Sequence, residues 1–284
     1  MLYRWTLESV LDTIDLYYTK IFTGRQAGRM VDETRDEMTV ERAMVVVAHA
    51  DDAEFGCSGT VAKWCAEGVE VVYVLCTDGS KGSEDRDITS EELANTRKIE
   101  QIAAGEVLGL KDIAFLGYPD AYLQPTLELR RDIAREIRRH RPDVVICMYP
   151  ARNLDGGWGV GHPDHIASGE ATLAAIFPTA RDHLTFPELL KEGLETHKVS
   201  EAWIMGHPEP DHWVDVTDHL ETSINALAEH TSQIGGRGED MISKSMKQGR
   251  RDRAKGKGML YAESFRRISF QRGRPTIPPS ATKP

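Results

Sequence analysis

Apolar residues follow two different rhythms along the chain. In residues 1–40, Leu7, Leu11, Ile14, Tyr18 and Ile21 recur at intervals of three and four, which places them on one helix face, and a charged stretch, Asp32–Glu37, follows. This predicts an amphipathic helical extension over 1–40 that ends in a polar linker. Its stripe can pack on its own domain or, in a homo-oligomer, on another subunit. From Ala43 the rhythm changes to short β-rich runs: Met44–Ala48, Val69–Cys76, Ile113–Leu116, Val144–Tyr149, Ala202–Met205 and Trp213–Val216. Helix-length segments near 58–67, 90–109, 126–140 and 164–177 lie between them. Such alternation predicts βαβ units and an α/β fold, a Rossmann-like three-layer sandwich with a mainly parallel sheet over 41–272. Residues 273–284 are Pro-rich and read as an extended tail. Ligands of such sheets bind beyond the carboxyl ends of the strands, so the residues just after each strand carry the functional question.

Composition narrows the classes. A chain of 284 residues, 40% hydrophobic and 28% charged, has room for one large α/β domain with a core that needs no staples. With 35 Lys and Arg against 45 Asp and Glu, the net charge of −10 argues against non-specific binding to nucleic acid or an anionic membrane. No stretch approaches the roughly 20 apolar residues of a membrane span. Cys57, Cys65, Cys76 and Cys147 form no Cys-x-x-Cys pair and read as buried free thiols. The first residues lack the apolar run of a signal peptide, and the expected location is cytoplasmic.

Directly after the first strand comes His49-Ala50-Asp51-Asp52-Ala53-Glu54, where a dinucleotide-binding protein would carry a Gly-rich phosphate loop. Adjacent carboxylates at a ligand-binding edge repel one another unless a cation neutralises them. Alone, the string could be a turn that caps a helix. A second cluster, Gly161-His162-Pro163-Asp164-His165, follows the fourth strand, with Pro163 suited to a first helical turn. One His and one Asp from the first segment with a His from the second would form a three-ligand N/O site with an open position, as expected of a catalytic zinc.

At these residues the chain resembles the PIG-L/LmbE-like family of zinc-dependent N-acetylglucosaminyl deacetylases. The likeness extends through Thr77-Asp78-Gly79, Arg97-Lys98-Ile99-Glu100, Phe115-Leu116-Gly117-Tyr118-Pro119-Asp120 and His230-Thr231-Ser232-Gln233. It implies a hydrolase that removes an N-acetyl group from a small amino-sugar substrate, with an amidase of another N-acyl amine or thiol conjugate and a non-catalytic binding subunit as alternatives, and with Zn2+ or another divalent metal held by His49, Asp52 and His165. It further implies Asp51 as general base, and His162, oriented by Asp164, as oxyanion stabiliser or acid. Asp120 and Arg97 would face the sugar. Ala50 stands where the family usually has proline, Val160 where some members have tyrosine, and the loop 151–161 is longer than is common. Tyr149 or Trp158 could fill the tyrosine's space. His230 and Gln233 read equally as site neighbours or helix surface, and Arg97 equally as a surface partner of Glu100. The basic segment Lys244–Lys257 reads as a solvated loop, or more sharply as a lid for an anionic substrate.

Overall fold

The computed structural model describes residues 39–154, 160–234 and 239–270. Apart from Thr39 and Val40, the N-terminal extension lies outside these residues, as does the Pro-rich tail. Strands β1 (Arg42–Val47), β2 (Glu70–Thr77), β3 (Asp112–Tyr118), β4 (Val144–Met148) and β5 (Glu201–Met205) pair in parallel in the order β3-β2-β1-β4-β5. The parallel, mainly β-rich core expected from the sequence is present. Chain order reverses between β1 and β4, which opens a crevice at their carboxyl ends.

The central strands β1, β2, β4 and β5 are buried almost throughout, as their near-continuous apolar runs require when helices cover both faces. On one face Met44, Val46, Val74 and Val145 meet Leu129, Ile133 and Ile137 of α4 (Leu127–His140) and the alanines of α5 (Pro163–Ile176). Small residues bring α5 close to the sheet, and a Cβ built on Gly169 would lie 2.4 Å from the carbonyl oxygen of Met148. The other face carries α2 (Ser58–Ala66), α3 (Ser90–Leu108) and α7 (Leu220–Ala228). Helix α3 starts in a reciprocal Thr89–Glu92 capping box and stops at Gly109, whose φ of 80° suits glycine. Among the described residues no helix is long and apolar enough to cross a membrane.

Two features differ from the sequence expectation. Strand β7 (Ala262–Ser269) inserts antiparallel between β5 and β6 (His212–Asp215). Its central Arg266 and Arg267 obscure the strand pattern, but Arg267 pairs with Glu201 across the ladder and Arg266 with Asp211. The basic segment is no solvated loop. Most of it belongs to the helix α9 (Glu239–Ala254), and Arg250 is 3% exposed. Its guanidinium donates to Glu263 Oε1 at 2.9 Å and to the Glu54 carbonyl at 3.2 Å. Glu263 also accepts from Gly59 N, Thr60 N and Thr60 Oγ1, so one carboxylate joins α9, β7 and the start of α2. A charge held this way is part of the scaffold rather than a hinged lid.

Removing Arg250 would leave the Glu263 carboxylate buried without its cation. Arg250→Met is therefore expected to cost about 3–5 kcal/mol. Lys247→Met, which removes an exposed partner of Glu221, should cost at most about 1 kcal/mol. Urea unfolding of the two variants measures the contrast.

Candidate active site

The site assembles from loops that follow β1, β2, β3 and β4. After β1 the chain turns sharply at Asp51, whose φ of 85° lies in the left-handed region that side chains other than glycine rarely adopt. The peptide between Ala50 and Asp51 is gripped at both ends. Arg97 donates to the Ala50 carbonyl at 2.7 Å, and the Asp51 amide donates to Gln101 Oε1 at 3.3 Å. Arg97 and Gln101 are four residues apart on α3 and so share a face. Thr77, at the end of β2, holds the Ala48 carbonyl through Oγ1 at 2.8 Å.

The His49 ring stands between two groups of acids. On one side Nε2 faces Asp120 Oδ1 at 3.0 Å and Asp164 Oδ2 at 3.3 Å. On the other, Nδ1 lies 3.4 Å from Asp52 Oδ2 and 3.3 Å from His165 Nε2, which is itself 3.1 Å from Asp52 Oδ1. Three of the four groups on either side of this ring act only as acceptors when ionised, so the pocket calls for positive charge. Burial alone would push the His49 pKa down, yet its contacts with Asp120 and Asp52 raise it to about 10. Asp52 is buried, and the two histidines still hold its carboxyl well below the usual range. Asp51 behaves oppositely: burial and the neighbouring Asp52 push its pKa up to about 7, against the pull of Arg97.

The donor set suits a divalent cation. His49, Asp52 and His165 offer two imidazole nitrogens and a carboxylate within 3.4 Å of one another. His49 with His162 and His165, and His49 with Asp120 and Asp164, are also close enough to share an ion. The second of these groups is fully buried, and Asp164 is already engaged, accepting from the amides of Ala121 at 2.8 Å and Leu123 at 3.3 Å.

His162 caps α5: its Nδ1 accepts from the Asp164 amide at 3.2 Å. The neutral ring therefore keeps its proton on Nε2. Burial, followed by the charges of His49 and His165, lowers its pKa. The Asp164 carboxylate is turned to His49, so what orients His162 is the Asp164 backbone and not, as the resemblance implied, its side chain. Arg97 and Asp120 are only 5% and 4% exposed, and they approach each other at 3.8 Å beneath Asp51. Glu100 is no partner of Arg97; it accepts from Thr231 and Ser232. A cleft of about 540 Å3 opens above Asp52, His162 and His165, walled by Phe55, Tyr149 and Met205. Trp158 lies outside the described residues.

Sequence reasoning gave no role to Glu54 or Gln101, and it left His230 open. All three are fully buried, and His230 packs against Glu54 at 3.3 Å, so it is not helix surface. The i, i+4 spacing of Arg97 and Gln101 was the available signal.

Residues 44–176 match the family model for PIG-L, GlcNAc-PI de-N-acetylase. A diacetylchitobiose deacetylase of Thermococcus kodakarensis is 32% identical over 195 residues, covering 69% of this chain and 71% of that protein. The chain belongs to the PIG-L family. A second member, the 1D-myo-inositol 2-acetamido-2-deoxy-α-D-glucopyranoside deacetylase 1 of Saccharopolyspora erythraea, is 30% identical over 241 residues, covering 68% of this chain and 78% of that one. Among solved structures, the N,N'-diacetylchitobiose deacetylase of Pyrococcus horikoshii superposes with a TM-score of 0.75 at 25% identity, over 97% of this chain and 99% of that one. Members of the PIG-L family are metal-dependent deacetylases, and the His/Asp cluster here could hold such a metal.

Because Asp120 and Asp164 fix the His49 ring from its Nε2 side, Asp120→Asn and Asp164→Asn should each weaken divalent-metal binding by about 10- to 100-fold. Competition with a chromophoric chelator reads that loss. Unchanged affinity in both variants would show that the carboxylates do not set the ring.

Proposed function

We propose that this PIG-L protein is a zinc-dependent hydrolase that removes the N-acetyl group from an N-acetylglucosamine-type sugar or a glycoside of one. The observation that carries the reading is the convergence of His49, Asp52 and His165, at the mouth of a cleft, beside an acid that is not needed as a ligand. Two imidazoles and one carboxylate with an accessible side are the donor set of a hydrolytic zinc. The named activities of the relatives, each a deacetylase of an acetamido sugar, support the same substrate class.

A bound zinc would acidify a water molecule and polarise the acetyl carbonyl. The remaining steps belong to the chain's own groups. The Asp51 carboxylate accepts a proton from the water as its oxygen bonds to the carbonyl carbon. His162, neutral with its proton on Nε2, donates a hydrogen bond to the oxygen that becomes negative, a role that needs no imidazolium. Asp51 then returns the proton to the sugar nitrogen as the C–N bond breaks, which leaves acetate and a free amine. Asp120 and Arg97, which the resemblance implied would face the sugar, are instead buried beneath Asp51, where they brace the His49 ring and the Ala50 carbonyl. The walls formed by Phe55, Tyr149 and Met205 suit the apolar faces of a pyranose ring.

Asp51→Asn should retain the metal while losing at least about 100-fold in turnover, and His165→Ala should lose the metal. Elemental analysis paired with acetate release from N-acetylglucosamine and diacetylchitobiose tests both. A full complement of metal in His165→Ala would refute the ligand set. A fully loaded wild-type protein that releases no acetate from any acetamido sugar would refute the substrate class.

A further inference from the structure

We propose that Gln101 and Glu54, packed against His230, form a buried positioning chain that, with Arg97, holds the Ala50–Asp51 peptide and so sets where the Asp51 carboxylate stands. The proposal rests on the reading of Asp51 as the proton acceptor. Asp51 sits at the start of a short helix, but its side chain makes no capping hydrogen bond there. The grip on its left-handed backbone comes from α3, some fifty residues further along the chain.

Both hydrogen bonds of Gln101 have their direction set by the Asp51 amide, a donor with no acceptor to offer. The Gln101 amide meets Glu54 through Nε2, at 3.0 Å from Oε1. Gln101 Oε1 is then left for the Asp51 amide, which can only donate. The second oxygen of Glu54 lies 3.3 Å from His230 Nε2 without a hydrogen bond between them, and all three side chains are fully buried. A buried amide with one end fixed by a carboxylate has a single way to lie. Arg97 holds the carbonyl of the same peptide, so this peptide unit is restrained at both of its polar atoms. Ala50 stands where the family pattern has proline, which makes the restraint from outside the loop more important here.

The test exchanges the two functional groups. Gln101→Glu sets two carboxylates against each other, whereas Glu54→Gln with Gln101→Glu restores one amide and one carboxylate in the same contact, with an acceptor still facing Asp51. Gln101→Glu and Gln101→Met should each lower kcat for acetate release by about tenfold to hundredfold, with KM and metal content unchanged. The double exchange should return kcat to within about threefold of wild type. Exchange of the Asp51 amide hydrogen, followed by NMR on the full chain, should accelerate in Gln101→Met and slow again in the double variant. Unchanged kcat in Gln101→Met, or a double variant no better than Gln101→Glu, overturns the proposal. If wild type releases no acetate from any acetamido sugar, the functional reading fails by itself. The amide exchange then decides the positioning chain, which falls if Gln101→Met leaves that exchange unaltered.

Discussion

Four carboxylates, Asp51, Asp52, Asp120 and Asp164, meet at the ends of three parallel strands in the interior of the protein, and their mutual repulsion governs how everything around them is arranged. The nearest compensation is the His49 ring, which faces acids from both of its nitrogens. Arg97 supplies a second positive charge from α3, and backbone amides from the segment after β3 supply partial charge to Asp164. Apart from His49 and Asp52, which share the loop after β1, none of these groups sits on the same loop as the acid that it balances. The site can exist only when β1, β3 and β4 are in register and α3 lies across them, so folding and charge balance are one event.

That arrangement divides the acids into two kinds. Asp120 and Asp164 are satisfied by the protein itself, through His49 and backbone donors. Asp52 stands on the Nδ1 side, where two histidines meet it and the cleft begins, whereas Asp51 has only the Arg97 guanidinium at 3.8 Å. Asp51 is the one whose pKa moves upward, because burial and the neighbouring Asp52 outweigh the distant guanidinium. Identical side chains thus acquire different chemistry from the charges and burial around each.

What was legible in the sequence was what is local. The six β-rich runs became strands because each is short and dominated by apolar residues, and the two His/Asp clusters could be found because each lies within six residues in a segment that follows a strand. Strand β7 escaped because arginines interrupt its pattern and its stabilising partners, Glu201 and Asp211, lie more than fifty residues away. The helix at Glu239–Ala254 escaped for a related reason: its Gly249 and positive charges suggest a loop until Glu263 is brought against Arg250. Likewise the contacts of Glu54 with Gln101 and His230 span 47 residues in one case and far more in the other, and no local pattern records them. The orientation of His162 by a backbone amide could not be read from residue types at all.

The close approach of α5 to β4 has a consequence for the site. Gly169 touches the strand backbone one helical turn after His165, so the helix carries its histidines on a very short lever arm pivoting at that contact. The contact is between a glycine and a main-chain carbonyl, with no flexible side chain to absorb a change. The distance from His165 to Asp52 is thereby measured from the sheet itself, and a single added methyl at a residue that takes no part in the chemistry would be transmitted, almost undiminished, to the reacting end of the helix.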